Sequence, residues 1–104
     1  MKPNDVPGPS ALTLSAIRAE VIRARLKFPL NNVLLAALTE EVGELANALL
    51  ELYFAAGRGA HIEDLDARRD KVQKEAIQVA AVAVRILEEG TSEFPEYRPP
   101  GPGK

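Results

Sequence analysis

The feature that most constrains the fold is the stretch of residues 76–87, which is apolar nearly all round. The wider run of residues 72–89 is too long for a typical buried strand, and its several alanines favour a helix. A helix that is apolar on every side has to be buried on every side. We therefore expect an all-α protein in which this helix lies among others and ends at Gly90.

A first helix is predicted between Ser10 and Pro29. Ser10 is suited to the N-cap, and Pro29 ends the helix because the residue before a proline avoids helical backbone angles. The apolar stripe of this helix recurs at steps of three and four and consists of Leu14, Ile17, Val21, Ala24 and Phe28.

A second helix is predicted to begin at a cap on Asn31 or Asn32 and to run to about Ala56, where Gly57 and Gly59 form a stop signal. Its expected core stripe consists of Leu34, Leu38, Val42, Leu45, Leu49 and Leu52. The charged residues 62–71 are predicted to be the exposed first turns of the third helix. A break within this stretch would divide the helix and give a fourth one.

Two of these helices carry more apolar surface than a lone three-helix domain can cover. We therefore expect three to four antiparallel helices forming a bundle completed by oligomerisation, with a monomeric three-helix bundle as the alternative. Residues 1–9 are expected to be a flexible leader, residues 10–90 the helical domain, and residues 91–104 a flexible, proline-rich tail that stays off the core.

The composition limits the partners and the location. The 104 residues include 13 basic and 15 acidic side chains, so a single small domain lacks the basic surface of a nucleic-acid or membrane-surface binder. Without cysteine, and with His61 as the one histidine, disulfides and most zinc sites are excluded. No apolar run reaches the roughly 18 residues of a membrane span, and no signal-peptide core is present. We expect a cytoplasmic protein that binds neither a membrane nor a nucleic-acid polymer.

An acidic patch interrupts the second apolar helix. Glu40 and Glu44 stack one turn apart, and Glu41 lies beside Glu44, so three carboxylates crowd one short stretch of helix surface. A hard divalent cation would remove the repulsion between them. The alternative is a solvated acidic face. Gly43 lies between the acids, where it provides either close helix packing or clearance for a ligand.

A second polar group follows on the third helix. Glu75 and Gln78 are neighbours on one face, with Lys71 and Lys74 a turn before them and Arg85 two turns after Gln78. If the second and third helices pack antiparallel, this group faces the acidic patch. The acids would then hold Mg²⁺, and the three cations would bind the outer phosphate charge of a substrate.

Ordinary structural roles remain open for two of these residues. Gln78 could be a single polar residue hydrogen-bonded in the core. Arg85 could be a surface cation paired with Glu88 or Glu89.

The pattern Glu40-Glu41-Val42-Gly43-Glu44, followed by Glu75 and Gln78, resembles the EExxE…ExxD signature of the MazG-like all-α nucleoside triphosphate pyrophosphohydrolases. The flanking residues 27–29, 37–45 and 74–85 are also similar to short bacterial and phage members of that family. The likeness covers roughly residues 15–90.

The resemblance implies a homodimer or tetramer with one or more Mg²⁺ ions per site, Mn²⁺ being a substitute. The implied reaction cleaves a nucleotide between the α- and β-phosphates to give a monophosphate and pyrophosphate. By position, Glu41, Glu44 and Glu75 would be metal ligands, and Glu40 a ligand or the residue that orients the attacking water. Glu40 and Glu41 are thus the expected catalytic residues.

The chain departs from the signature at Gln78, where the family has Asp. An amide oxygen can still bind Mg²⁺, but it supplies one less negative charge. The alternative function is therefore a non-catalytic MazG-like helical module that binds nucleotide or a partner protein. A di-iron carboxylate bundle is disfavoured because that class needs Glu-x-x-His motifs.

Overall fold

The computed structural model describes residues 2–100, and within them the regular structure is entirely helical. A short 3-10 turn, Pro3–Asp5, precedes three helices: α1 spans Ala11–Lys27, α2 spans Leu34–Gly57 and α3 spans Ile62–Glu89. The expected all-α class is confirmed. Because α3 is continuous, the charged residues 62–71 contain no break and there is no fourth α-helix in the described part of the chain.

The third helix is central, since α1 and α2 each pack against α3. The four residues between α2 and α3 make the two an antiparallel pair, and Glu51 on α2 accordingly lies 3.8 Å from Arg68 of α3. Helix α1 runs parallel to α3, because Arg25 near its end is 2.8 Å from both Glu88 and Glu89 at the end of α3. A wedge-shaped space is left between α1 and α2.

The packing of α2 on α3 follows a strict alternation of steps of three and four, as in a coiled-coil seam. Each seam position is buried or half-buried. On α2 these positions are Leu34, Leu38, Glu41, Leu45, Ala48, Leu52 and Ala55; on α3 they are Leu65, Arg68, Val72, Glu75, Val79, Val82, Ile86 and Glu89.

The predicted core stripe of α2 was therefore wrong at two positions. Val42 and Leu49 are 47% and 48% exposed. The seam instead uses Glu41 and Ala48, one residue earlier in each case. Both sets of positions follow helical spacing. Contact with α3 decides that Glu41 and Ala48, rather than Val42 and Leu49, are covered. The stripe of α1 is buried at Val21 and exposed at its ends.

The helix ends are only partly those predicted. Ser10 caps α1 as expected, its hydroxyl accepting a hydrogen bond from the backbone N–H of Thr13. The predicted asparagine cap of α2 was wrong: α2 begins after Val33, whose side chain makes no cap. Asn31 instead donates its amide to the backbone oxygen of Glu89, at the end of α3.

The segment after α3 packs on the helices, contrary to the expectation that residues 91–104 stay off the core. Glu93 accepts a hydrogen bond from the backbone N–H of Leu35 at 2.8 Å, which caps α2. Phe94 and Tyr97 line a small groove with Leu38 and Ile86. Met1 of the predicted leader and residues 101–104 of the predicted tail lie outside the described residues.

Gly90 makes the turn that directs this segment back. Its φ of 66° lies in the left-handed region, which favours glycine. A Cβ there would lie 3.1 Å from Cδ of Pro99 and 3.2 Å from the backbone oxygen of Tyr97. Gly90 therefore ends α3 as predicted, and the close approach of the following segment also requires it.

A single chain leaves apolar surface uncovered. Ala76, Ala83 and Leu87 on α3 are exposed, so the expected burial of this helix on every side is not met by α1 and α2. Helix α2 likewise exposes Tyr53 and Phe54. Within residues 2–100, no helix combines the length and apolar character that crossing a bilayer requires.

Candidate metal and nucleotide site

Three carboxylates meet where α2 crosses the middle of α3. Glu41 and Glu75 occupy facing seam positions, and Glu44 lies one turn after Glu41. One carboxylate oxygen from each lies within 4.8 Å of those of the other two. The sequence prediction that these acids come together across an antiparallel pair therefore agrees with the geometry.

Gln78 joins this cluster as a hydrogen-bond donor. With its amide nitrogen facing the acids, that nitrogen lies 2.8 Å from Oε2 of Glu75 and 2.9 Å from Oε2 of Glu41. The opposite orientation would place the amide oxygen against two acceptors. Gln78 thus bridges α2 and α3, whereas its oxygen was predicted to bind a metal.

The cluster is electrostatically strained. Burial raises the pKa of Glu41 above its ordinary value of 4.5, and the charges of Glu44, Glu75 and Glu40 raise it further. Burial also raises the pKa of Glu75, as does the hydrogen bond that its protonated form donates to Glu44. A bound cation would reverse both effects, because it favours the ionised carboxylates. Carboxylate oxygens are also the ligands that Mg²⁺ and Mn²⁺ prefer, so the donor set fits such a cation.

A cleft of about 440 Å³ opens beside the cluster, in the wedge between α1 and α2 with α3 as its floor. Its two ends differ in character. Glu40, Glu41 and Gln78 line the charged end, whereas Leu30 and Val33 line the apolar end. Such a shape suits a ligand with one charged and one flat, apolar part.

Glu40 lies on the wall of this cleft but outside the three-carboxylate cluster. It is exposed, next to the half-buried Glu41 in sequence. Its carboxylate can therefore reach solvent and a molecule in the cleft, which is compatible with the predicted role in orienting water.

Two of the predicted phosphate-binding cations lie outside the cleft lining. Lys71 is 3.9 Å from Glu51. The positive charges of Lys71 and Lys74 both oppose the rise in the pKa of Glu75. Both lysines therefore stand beside the cluster, but neither lines the cleft.

The third predicted cation, Arg85, lines the cleft from below and is only 3% exposed. It donates to the backbone oxygens of Phe28 at 2.8 Å and Leu30 at 3.4 Å, and makes two further bonds of 2.9 Å to Glu89. The pairing with Glu89 weighed from sequence is present, but the residue is buried rather than at the surface. Arg85 fixes the α1–α2 connection that forms the apolar end of the cleft.

Sequence reasoning missed the contribution of α1. Glu20, Arg23 and Lys27 all line the cleft. They share one helical face through their spacing of three and four, which was the available signal. No motif ties that face to the acids of α2, so its orientation became apparent only in the folded chain.

Gly43 is exposed, and a Cβ at this position would meet nothing within 4 Å. Close packing against a helix of the same chain therefore does not explain this glycine. Clearance for a ligand remains a prediction.

Comparison with protein-family models, with curated proteins and with solved structures finds no match to this chain. The assignment of function therefore rests on the residues and geometry of the site.

Proposed function

We propose that this protein is a Mg²⁺-dependent nucleotide pyrophosphohydrolase of the MazG-like all-α kind. The observation that carries the proposal is the pair Glu41 and Glu75, which stand at seam positions where helix packing calls for apolar side chains. Bringing two half-buried carboxylates together there lowers stability unless a cation or hydrogen-bond donors lie between them. The adjoining cleft has room for a nucleotide.

Each acid has a proposed role. Glu41, Glu44 and Glu75 hold the metal, and Glu40 orients the attacking water and accepts its proton. The apolar end of the cleft holds the base and excludes water from it. When bound, the cation neutralises phosphate charge and makes a coordinated water more acidic.

The proposed reaction balances without a further reactant. Water adds its oxygen to the α-phosphorus, and the bond from that phosphorus to the oxygen bridging the α- and β-phosphates breaks. The products are a nucleoside monophosphate and pyrophosphate. The water proton passes to Glu40 and from there to solvent, which this exposed carboxylate can reach.

The second candidate is a non-catalytic MazG-like module that binds nucleotide or a partner protein. Gln78 favours it, because an amide nitrogen between Glu41 and Glu75 already satisfies part of their charge. Such a site would bind ligand in the cleft with little need for metal.

Pyrophosphate release from a panel of nucleoside triphosphates, with and without Mg²⁺, tests the proposal. We expect Mg²⁺-dependent release that Glu41→Gln and Glu44→Gln each abolish, while Glu96→Gln, which changes an exposed acid after α3, leaves it intact. Nucleotide binding without any release would favour the second candidate. Circular dichroism of each variant checks that the fold is retained.

We also propose that the chain self-associates through its uncovered apolar surface, as a dimer or tetramer. The exposed side chains of α2 and of α3 support this, since large exposed apolar patches mark interaction sites. Light scattering should give a mass of at least twice 11.2 kDa; a monomer at micromolar concentration would contradict it. The proposed substrate is a cytoplasmic metabolite, so we propose a cytoplasmic location.

A further inference from the structure

The proposed cleft needs a cation for the outer phosphates. Of the three cations predicted from sequence, Lys71 and Lys74 do not line the cleft, and Arg85 donates to backbone oxygens and to Glu89. The side chains that add positive charge to the walls of the cleft are Arg23 and Lys27 on α1.

Arg23 has the geometry for this role. Its Nε lies 2.9 Å from Oε1 and 3.1 Å from Oε2 of Glu20, and its terminal nitrogen also donates to Oε2. A guanidinium that makes such a forked pair with a carboxylate can make the same pair with a phosphate. Arg23 and Glu41 line the same cleft, which places the guanidinium near the acid cluster.

The arginine of the ion pair with Glu20 is open to solvent. The side chain of Arg23 is 53% exposed and that of Glu20 is 18% exposed, and a partly exposed pair three residues apart on a helix contributes little to stability. A multiply charged phosphate offers a stronger partner than one carboxylate. The pair therefore holds Arg23 in place without preventing its transfer to a ligand.

We propose that Arg23 is the phosphate-binding residue of the cleft and that Glu20 competes with the phosphate for it. This inference rests on the proposed function, since it assumes a polyphosphate beside the acid cluster. It assigns opposite effects to the two members of one ion pair: Arg23 strengthens binding and Glu20 weakens it.

Calorimetric titration with inorganic tripolyphosphate, in excess Mg²⁺, tests the assignment. We expect Arg23→Ala to weaken binding about tenfold, as loss of a charge-assisted forked contact should, and Arg23→Lys to restore part of it. Glu20→Gln should tighten binding about threefold, because it removes the competing carboxylate. In the Arg23→Ala background, Glu20→Gln should bring no gain.

Asp66 and Arg69 provide the matched control, since they form an exposed ion pair with the same spacing and lie outside the cleft. Asp66→Asn and Arg69→Ala should leave binding unchanged. Equal weakening by Arg23→Ala and Glu20→Gln would overturn the proposal, because a purely structural pair acts that way. A gain from Glu20→Gln that persists in the Arg23→Ala background would also overturn the proposal. Loss of the negative charge of Glu20 would then strengthen phosphate binding without any part played by Arg23.

Pyrophosphate release separates this inference from the proposed function. Turnover that is unaffected by Arg23→Ala, together with unchanged tripolyphosphate binding, would overturn the inference and leave the hydrolase intact. The expected binding pattern in a protein that hydrolyses no nucleotide would support the phosphate site and reject the enzyme.

Discussion

Glu41 on α2 and Gln78 on α3 are joined across the helix pair, with the amide nitrogen of Gln78 2.9 Å from Oε2 of Glu41. The same nitrogen reaches Glu75 at 2.8 Å. One neutral side chain thus donates two hydrogen bonds to acids that a bound cation or water molecules would otherwise stabilise. Gln78 therefore sets the balance between a stable metal-free fold and a strong metal site.

Gln78→Asp tests that balance. The variant loses both donors and adds a further carboxylate, so we expect the metal-free protein to lose about 2 kcal/mol of unfolding free energy. Mg²⁺ should bind more tightly, because ligand charge is a main control on affinity for hard cations. Urea unfolding and metal titration measure the two effects, with Gln73→Asp on the exposed face of α3 as the control. Unchanged stability and unchanged affinity would show that Gln78 has no part in the site.

Mg²⁺ or Mn²⁺ should raise the melting temperature of the wild type. The unfolded chain has no assembled cluster, so the cation stabilises only the folded state. At ten times its dissociation constant it contributes about 1.4 kcal/mol, which in a domain of this size raises the melting temperature by roughly 5 to 10 °C. Glu44→Gln should abolish the shift and Glu96→Gln should not. Absence of a shift at millimolar Mg²⁺, with or without nucleotide, counts against the metal site.

Glu89 should govern stability in acid. Hydrogen bonds from Arg85 hold the pKa of Glu89 below its ordinary value of 4.5 against the effect of partial burial, and one from Arg25 lowers it further. Ionised Glu89 therefore stabilises the fold above about pH 4.5, and this contribution disappears as pH falls through the folded-state pKa.

We expect this contribution to be about 2 kcal/mol, as for hydrogen bonds to charged groups. Glu89→Gln should lose this contribution at neutral pH. The free energy of unfolding of the variant, measured by urea unfolding, should then fall less steeply than that of the wild type as the pH is lowered. Glu96→Gln serves again as the exposed control. Wild-type and Glu89→Gln curves that stay parallel down to about pH 3 would contradict the assignment.

Local signals predicted most of the fold. Ser10 and Gly90 mark helix ends through capping and backbone preference, which act over a few residues, and the structure has both where expected. The seam of α2 was harder to predict, because a stripe that includes Val42 and Leu49 follows helical spacing equally well. Only contact with α3 decides between the two stripes.

Long-range contacts could not be predicted. Glu93 caps α2 from a segment whose prolines suggested a separate tail, and Asn31 binds the end of α3. In the site, Glu41 and Glu44 form a local motif on α2, and Glu75 was placed opposite them by assuming that α2 and α3 pack antiparallel. The burial of Arg85 and the donor role of Gln78 depend on which groups the fold places opposite them, and sequence spacing does not specify that.

Gly43→Ala tests the clearance that the acid cluster is predicted to need. A Cβ at Gly43 meets nothing within 4 Å, and glycine inside a helix costs roughly 1 kcal/mol relative to alanine. We therefore expect the metal-free variant to gain about 1 kcal/mol in urea unfolding and to bind Mg²⁺ with nucleotide several-fold more weakly. Gly57→Ala, also in open space but at the end of α2, is the control and should leave binding unchanged. Stabilisation with undiminished binding would remove the ligand-clearance role. A loss of stability would instead indicate that a second copy of the chain packs against Gly43.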